Sequence, residues 1–218
     1  MYMLVTTPQK AEQLRLKQKA VKYTPVQKLT MLFVALLAGA KSVYHVGTTL
    51  RVDRALQAAF GLPGCADQST IADTLDAATP EDVAALRAVV EATFVRYSQA
   101  RRHDFARGVL VVDLDLSPLP ASKRAEGSER GYMGRCRSKT GRKLVRVRAA
   151  DDQETVWEDV VPGNTAESLA VLKAAVEATE RLLGLDREGP EVQAKRAQTE
   201  WRLDSGWGRH GHVWHFGL

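Results

Sequence analysis

The run Val109-Leu110-Val111-Val112-Asp113-Leu114-Asp115-Leu116 narrows the fold more than any other segment of the chain. β-Branched side chains are stiff at χ1 and pack well on a pleated surface. Bounded by Gly108 and by Pro118 and Pro120, the run therefore reads as a buried strand that ends at the prolines. Side chains alternate across a strand, which puts Asp113 and Asp115 on one face with Cα atoms about 6.5–7 Å apart. Two carboxylates on one face of an otherwise apolar strand repel each other and lose solvation unless something compensates. A divalent cation would compensate. The plainer alternative is that such aspartates cap strand ends and turns.

The segments around this strand set its context. Before it, helical signals dominate. Thr24-Pro25-Val26-Gln27 has the form of a capping box with proline at the first helical position, and predicts a helix over 25–40. Further helices are expected over 51–60, over 69–75 with Ser69 as cap, and from Thr79-Pro80. In the last of these, Val83, Leu86, Val90, Phe94 and Tyr97 recur at helical spacing. After the first strand a Gly- and charge-rich stretch covers 122–141. Two strand-like segments follow, 143–149 and 155–161, with the polar turn Asp151-Asp152-Gln153 between them. Asn164-Thr165-Ala166-Glu167 is a second capping-box pattern. It opens a helix whose Leu169, Leu172, Val176 and Leu183 share a face, with Gly184 as the stop. A short strand over 199–203 leads into Asp204-Ser205-Gly206.

The expected fold class is α/β: an α-helical N-terminal region followed by strand-strand-strand-helix-strand. That order is the core order of a ribonuclease H-like fold, here a partial one, and other α/β arrangements share it. If the strands of Asp113 and Asp204 are neighbours, Asp204 reaches the same place as the aspartate pair. Hard oxygen ligands with open positions suit Mg²⁺ or Mn²⁺ in phosphodiester chemistry.

Composition is that of a soluble globular chain, with 44% hydrophobic and 26% charged residues. The longest apolar run, 29–40, is shorter than the roughly 20 residues of a membrane span. The polar start carries no signal-peptide pattern, so a cytoplasmic location and no membrane partner are expected. Cys65 and Cys136 have no metal-ligand spacing and read as ordinary thiols. A formal charge of +5 and a pI near 9.3 suit a polyanionic partner. Arg135, Arg137, Lys139, Arg142, Lys143, Arg146 and Arg148 crowd the hairpin after the first strand. Leu144, Arg146 and Arg148 share one strand face, with Val145 and Val147 on the other. Valines inward and arginines outward would meet DNA phosphates, for which Arg137, Lys139, Arg142, Lys143, Arg146 and Arg148 are the candidates. A solvated strand face is the alternative.

Val111-Val112-Asp113-Leu114-Asp115-Leu116-Ser117-Pro118-Leu119-Pro120, followed by Lys123-Arg124-Ala125-Glu126-Gly127 and Gly131-Tyr132, resembles the first catalytic block of bacterial insertion-sequence transposases. These are DDE transposases of the insertion-sequence-4 group, in particular its insertion-sequence-1380-like branch. Pro162-Gly163-Asn164-Thr165 resembles the turn before that family's crossover helix, and Trp201-Arg202-Leu203-Asp204-Ser205-Gly206 its second catalytic block. The resemblance is collinear over 109–208. It divides the chain into a helical region, 1–107, with a candidate DNA-binding head, a partial ribonuclease H-like catalytic domain, 108–208, and a tail, 209–218, outside the resemblance.

The resemblance implies DNA cleavage and strand transfer in transposition. It makes Asp115 and Asp204 the catalytic aspartates, and Asp115, Asp204 and Asp113 the ligands of Mg²⁺ or Mn²⁺. Asp113 and Asp115 both remain open as the principal ligand. The family's third acidic residue lies beyond the second aspartate. The chain's end at Leu218 is read as a C-terminal truncation or frame change that leaves the site incomplete, with Glu126 and the three tail histidines not taken as replacements. The expected partner is DNA at transposon ends, with a second copy or an intact transposase. The alternatives are a non-catalytic DNA-binding fragment that inhibits intact transposase, and a ribonuclease H-like nuclease with its own completed site.

Overall fold

The computed structural model describes residues 22–131, 133, 139–165 and 169–203. The chain divides into two compact units, Met1–Val90 and Glu91–Leu218. No helix among the described residues is long and apolar enough to cross a membrane.

The first unit is helical. Helix α1, Pro25–Leu37, opens with both bonds of the expected capping box: Gln27 N–H donates to Thr24 Oγ1 at 3.2 Å, and Thr24 N–H to Gln27 Oε1 at 2.9 Å. It ends earlier than its apolar run, which continues to Ala40. Gly39 turns left-handed at φ +93°, and the N–H groups of Gly39 and Ala40 close back onto the carbonyls of Leu36 and Ala35. After a 3₁₀ turn, Val43–His45, come α2, Val46–Thr49, α3, Arg54–Ala59, and α4, Gln68–Asp76. Asp53 caps α3 by accepting from Leu56 N–H at 2.8 Å, so that helix starts three residues later than expected. Helix α4 begins after Asp67, and Ser69 lies within its first turn rather than capping it. Met31, Val34, Val46, Leu50 and Ile71 form the fully buried centre.

Helix α5, Pro80–Tyr97, runs across the boundary between the units. Its expected apolar stripe faces outward at Val83, Leu86 and Val90, which are 54%, 53% and 61% exposed. Phe94 alone of that stripe packs on the second unit's core. Ala85 and Val89 recur at similar spacing and are better covered, so periodicity did not single out a face.

The second unit is a mixed α/β structure around one sheet. Its strands are β1, Leu110–Pro120, β2, Glu129–Arg130, β3, Thr140–Ala149, β4, Glu154–Pro162, and β5, Thr199–Leu203; α6, Leu169–Leu183, and α7, Pro190–Ala197, precede β5. β3 pairs antiparallel with β1 on one edge and with β4 on the other, while β5 pairs parallel with β1. The long strands therefore lie in the order β4-β3-β1-β5, with β2 extending the β4 edge. Leu110, Val112 and Leu114 of β1, Val145, Val147 and Ala149 of β3, and Leu172, Ala175 and Leu182 of α6 form the core. Leu169 of the expected α6 face is half exposed. Ala166 and Glu167 of the second capping-box pattern lie outside the described residues, as does Ser168.

Two departures from expectation have local causes. β1 continues through both prolines. Ala150 N–H donates to Val111 O and Ala121 N–H to Thr140 O, so odd positions of β1 bond to β3 and even positions face the other edge. Pro118 and Pro120 are even, and described β5 pairing stops at Leu114, so their missing N–H groups break no ladder bond in the described sheet. Helix α7 was not expected because its polar sequence has no apolar stripe; Pro190 at its first position was the available signal.

The glycines of the β2-β3-β4 junction are required by close approach. A Cβ on Gly163 would lie 2.2 Å from Gly141 O and 2.5 Å from Glu129 O, and one on Gly131 would lie 1.9 Å from Gly163 O. Gly163→Ala is expected to destabilise the second unit by about 1–3 kcal/mol or more in denaturant melts. Gly108→Ala, with nothing within 4 Å of its Cβ, should change far less.

Glu154 at the start of β4 accepts from Ser98 Oγ at 2.6 Å, Gln99 N–H at 2.9 Å and Ala100 N–H at 3.2 Å. Burial pushes its pKa up, but these hydrogen bonds, with Arg102 nearby, outweigh burial and hold it below the usual glutamate range. A depressed folded pKa gives stability that is present above the unfolded value, about 4.3, and is lost as pH falls through the folded value. Glu154→Gln should therefore lower the melting temperature at pH 7, and the deficit should shrink in acid below that range.

Candidate functional site

The sheet face opposite the core carries the charged residues, and strand register sets their neighbours. Asp113 stands opposite Arg148 of β3 on one side and Arg202 of β5 on the other. Arg202 Nε donates to Asp113 Oδ1 at 2.7 Å and Nη2 to Oδ2 at 3.0 Å, a bidentate pair that raises the arginine's pKa through the hydrogen bond and the carboxylate's charge. Arg148 Nη2 donates to Gln153 Oε1 at 2.5 Å. Asp115 stands opposite Arg146, whose guanidinium lies 3.3 Å from Glu158 of β4. Asp115 is exposed and its Oδ2 accepts from Ser117 Oγ at 2.5 Å.

The expected alternation holds: Asp113 and Asp115 share the face, with Arg146 and Arg148 beside them. Asp204 and Arg137 lie outside the described residues, as do Arg135 and Cys136. Among the described residues no group of three or more His, Cys, Asp or Glu side chains is gathered for a metal.

The arginine patch differs from its linear appearance. Among the paired strand residues, this face presents Arg130, Arg142, Arg146, Arg148 and Arg202 against Asp113, Asp115, Glu158 and Glu200, five positive charges against four negative. The acids come from β1, β4 and β5, distant in sequence, so clustering of arginines along the chain overstated the positive field. Lys139 is exposed and Arg142 half-buried, and neither forms an ion pair among the described residues. Lys143 departs from the expected DNA-contacting set. It shares the inward face with Val145 and Val147, is 7% exposed, and donates from Nζ to Thr165 O at 2.5 Å. Its stem fills space and its ammonium ties β3 to the turn after β4.

In the helical unit, Arg51 donates to Asp67 Oδ1 at 2.5 Å and to Ala66 O at 3.1 Å, beside the free thiol of Cys65. Burial pushes that thiol's pKa up, so it is poorly suited to act as a nucleophile.

No family model matches the sequence, and no curated protein matches it. Among solved structures, one similarity is to a chain in a "pre-cleavage Mos1 transpososome" crystal structure, at 11% identity and a TM-score of 0.25. It covers 87% of this chain and 55% of that one, so this chain spans about half the length of that neighbour. A likeness at that TM-score supports neither a fold nor a function.

Lys143→Ala is expected to cost about 1–3 kcal/mol of stability, by leaving the Thr165 carbonyl unpartnered and a gap under the strand. Lys139→Ala, at an exposed residue, should leave the melt unchanged, and calorimetry separates the two.

Proposed function

We propose that the chain is a transposase relative of the DDE type, acting on DNA through a ribonuclease H-like sheet. One observation carries the reading. The aspartate-bearing strand β1 lies between an antiparallel partner and the parallel strand β5, reached through the α6 crossover. Leu203 pairs with Leu114, Asp115 is the next residue on β1, and Asp204 is the next residue in the chain.

Asp115 and Asp204 would then hold Mg²⁺ or Mn²⁺, with Asp113 on the same face. An exposed carboxylate beside a serine hydroxyl is a hard-oxygen donor set of the kind these ions take. When bound, such an ion activates a water or 3′-hydroxyl and stabilises the leaving oxygen. Asp115 offers the carboxylate, and Ser117 orients it by donating to Oδ2. Residues 1–107 would supply a DNA-binding head, 108–208 the catalytic sheet, and DNA at transposon ends the substrate.

A second reading, a DNA-binding chain without catalysis that occupies transposon ends, is favoured by the Arg202 pair. That pair leaves Asp115 as the aspartate of β1 not held by an arginine. Nicking of supercoiled plasmid with Mg²⁺ or Mn²⁺ separates the two. Nicking that falls to background in Asp115→Asn is expected. Equal nicking by wild type and Asp115→Asn would sink the catalytic assignment. A salt-dependent mobility shift without nicking would leave the binding reading, and no binding at low salt would end both.

A further inference from the structure

The two aspartates of β1 are equivalent by alternation but not by neighbours. Resting on the reading of Asp115 and Asp204 as ligands, we propose that Asp113 is not a metal ligand. It is the counter-ion of Arg202, and Arg202 is a positioning residue that fixes the register of β5, the strand that precedes Asp204 in the sequence.

Asp113 stands between two arginine positions, Arg148 on β3 and Arg202 on β5, and both its oxygens accept from Arg202. A divalent cation on those oxygens would sit beside a guanidinium at hydrogen-bond distance, and like charges would oppose it. Asp115 has a different setting. Its cross-strand arginine, Arg146, shares its charge with Glu158, and its own hydrogen bond comes from a neutral hydroxyl. One face thus contains one carboxylate already neutralised and one open to a cation.

The pair also solves a register problem. β5 has five residues, each paired to β1. A one-residue slip would turn Trp201 and Leu203, which pack against the core, to the polar face, so the apolar pattern excludes it. A two-residue slip keeps every face correct, yet would shift the chain by about 6.6 Å. The apolar pattern opposes that slip only through side-chain size. Arg202 opposes it through charge and direction, because its bidentate partner lies directly across in register. Asp204 follows Arg202 by two residues in the sequence, so a slip of Arg202 is carried to it through two peptide bonds.

The test uses the full chain and the variants Asp113→Asn, Arg202→Gln, Arg202→Lys, Asp115→Asn and the Asp113→Asn/Arg202→Gln double. The readouts are Mn²⁺ binding by paramagnetic resonance and hydrogen exchange of the β5 amides. Asp115→Asn should reduce Mn²⁺ affinity most, with β5 protection unchanged. Asp113→Asn and Arg202→Gln should each lower affinity by about three- to tenfold and each deprotect β5. The double should be no worse than either single, since the two act as a unit. Arg202→Lys, which keeps the charge and loses the fork, should be intermediate. An Asp113→Asn loss as large as that of Asp115→Asn, with Arg202→Gln binding Mn²⁺ normally, makes Asp113 a ligand and overturns the proposal while sparing the metal reading. A wild-type chain that binds no Mn²⁺ ends the metal reading and with it the ligand half. The pin is then judged by exchange alone, and additive or absent deprotection in the double overturns it.

Discussion

The second unit depends on β1 being satisfied in four directions at once. Its even face, Leu110, Val112 and Leu114, is buried against the sheet's helical layer, while its odd face carries Asp113 and Asp115. One edge pairs with β3 from Val112 to Pro120, and the other with β5 from Leu110 to Leu114. Because the side-chain period is two, moving the strand by one residue would bury both carboxylates and expose three core residues together. That coupling fixes the strand far more firmly than its hydrogen bonds alone. It also explains why a pair of acidic residues is tolerated in the middle of a core strand.

What could be read in the sequence was what depends on neighbours in the chain. The Thr24 capping box, the β-branched run of β1 and the alternation of Val145 and Val147 with Arg146 and Arg148 are all local, and each has its counterpart in the structure. Of the candidate site, the shared face of Asp113 and Asp115 was legible for the same reason. The helix α7 and the two-residue β2 were not, since the first has no apolar stripe and the second is too short to carry a pattern. The outward turn of Val83, Leu86 and Val90 shows the converse error. A periodic stripe states that one face of a helix is apolar, and not that anything covers it.

Register was the missing quantity for the charged residues. Read along the chain, residues 135–148 are a block of positive charge. Read across the sheet, Arg146 meets Glu158 twelve residues later, and Arg202 reaches Asp113 from 89 residues away. A strand's linear charge is therefore a poor guide to its field, because adjacent strands supply counter-charges that no window contains. Lys143 illustrates the same point through parity: one position away from Arg142 in sequence, it belongs to the opposite face and to the fold's internal bonding.

The same argument separates two aspartates that alternation makes identical. A carboxylate's chemistry follows from what stands within a few ångströms of it, and here those neighbours come from different strands. Asp113 is drawn toward β5 by a guanidinium that uses both its oxygens, which converts a repulsive pair of acids into one acid and one neutral pair. That conversion removes the original electrostatic reason for requiring a metal between Asp113 and Asp115. What electrostatic case remains for a cation rests on Asp115, whose exposed carboxylate stands opposite Arg146, itself shared with Glu158. On the proposed reading, a cation brought to this face would meet Asp115 as the open carboxylate of β1, since both oxygens of Asp113 are already taken by Arg202.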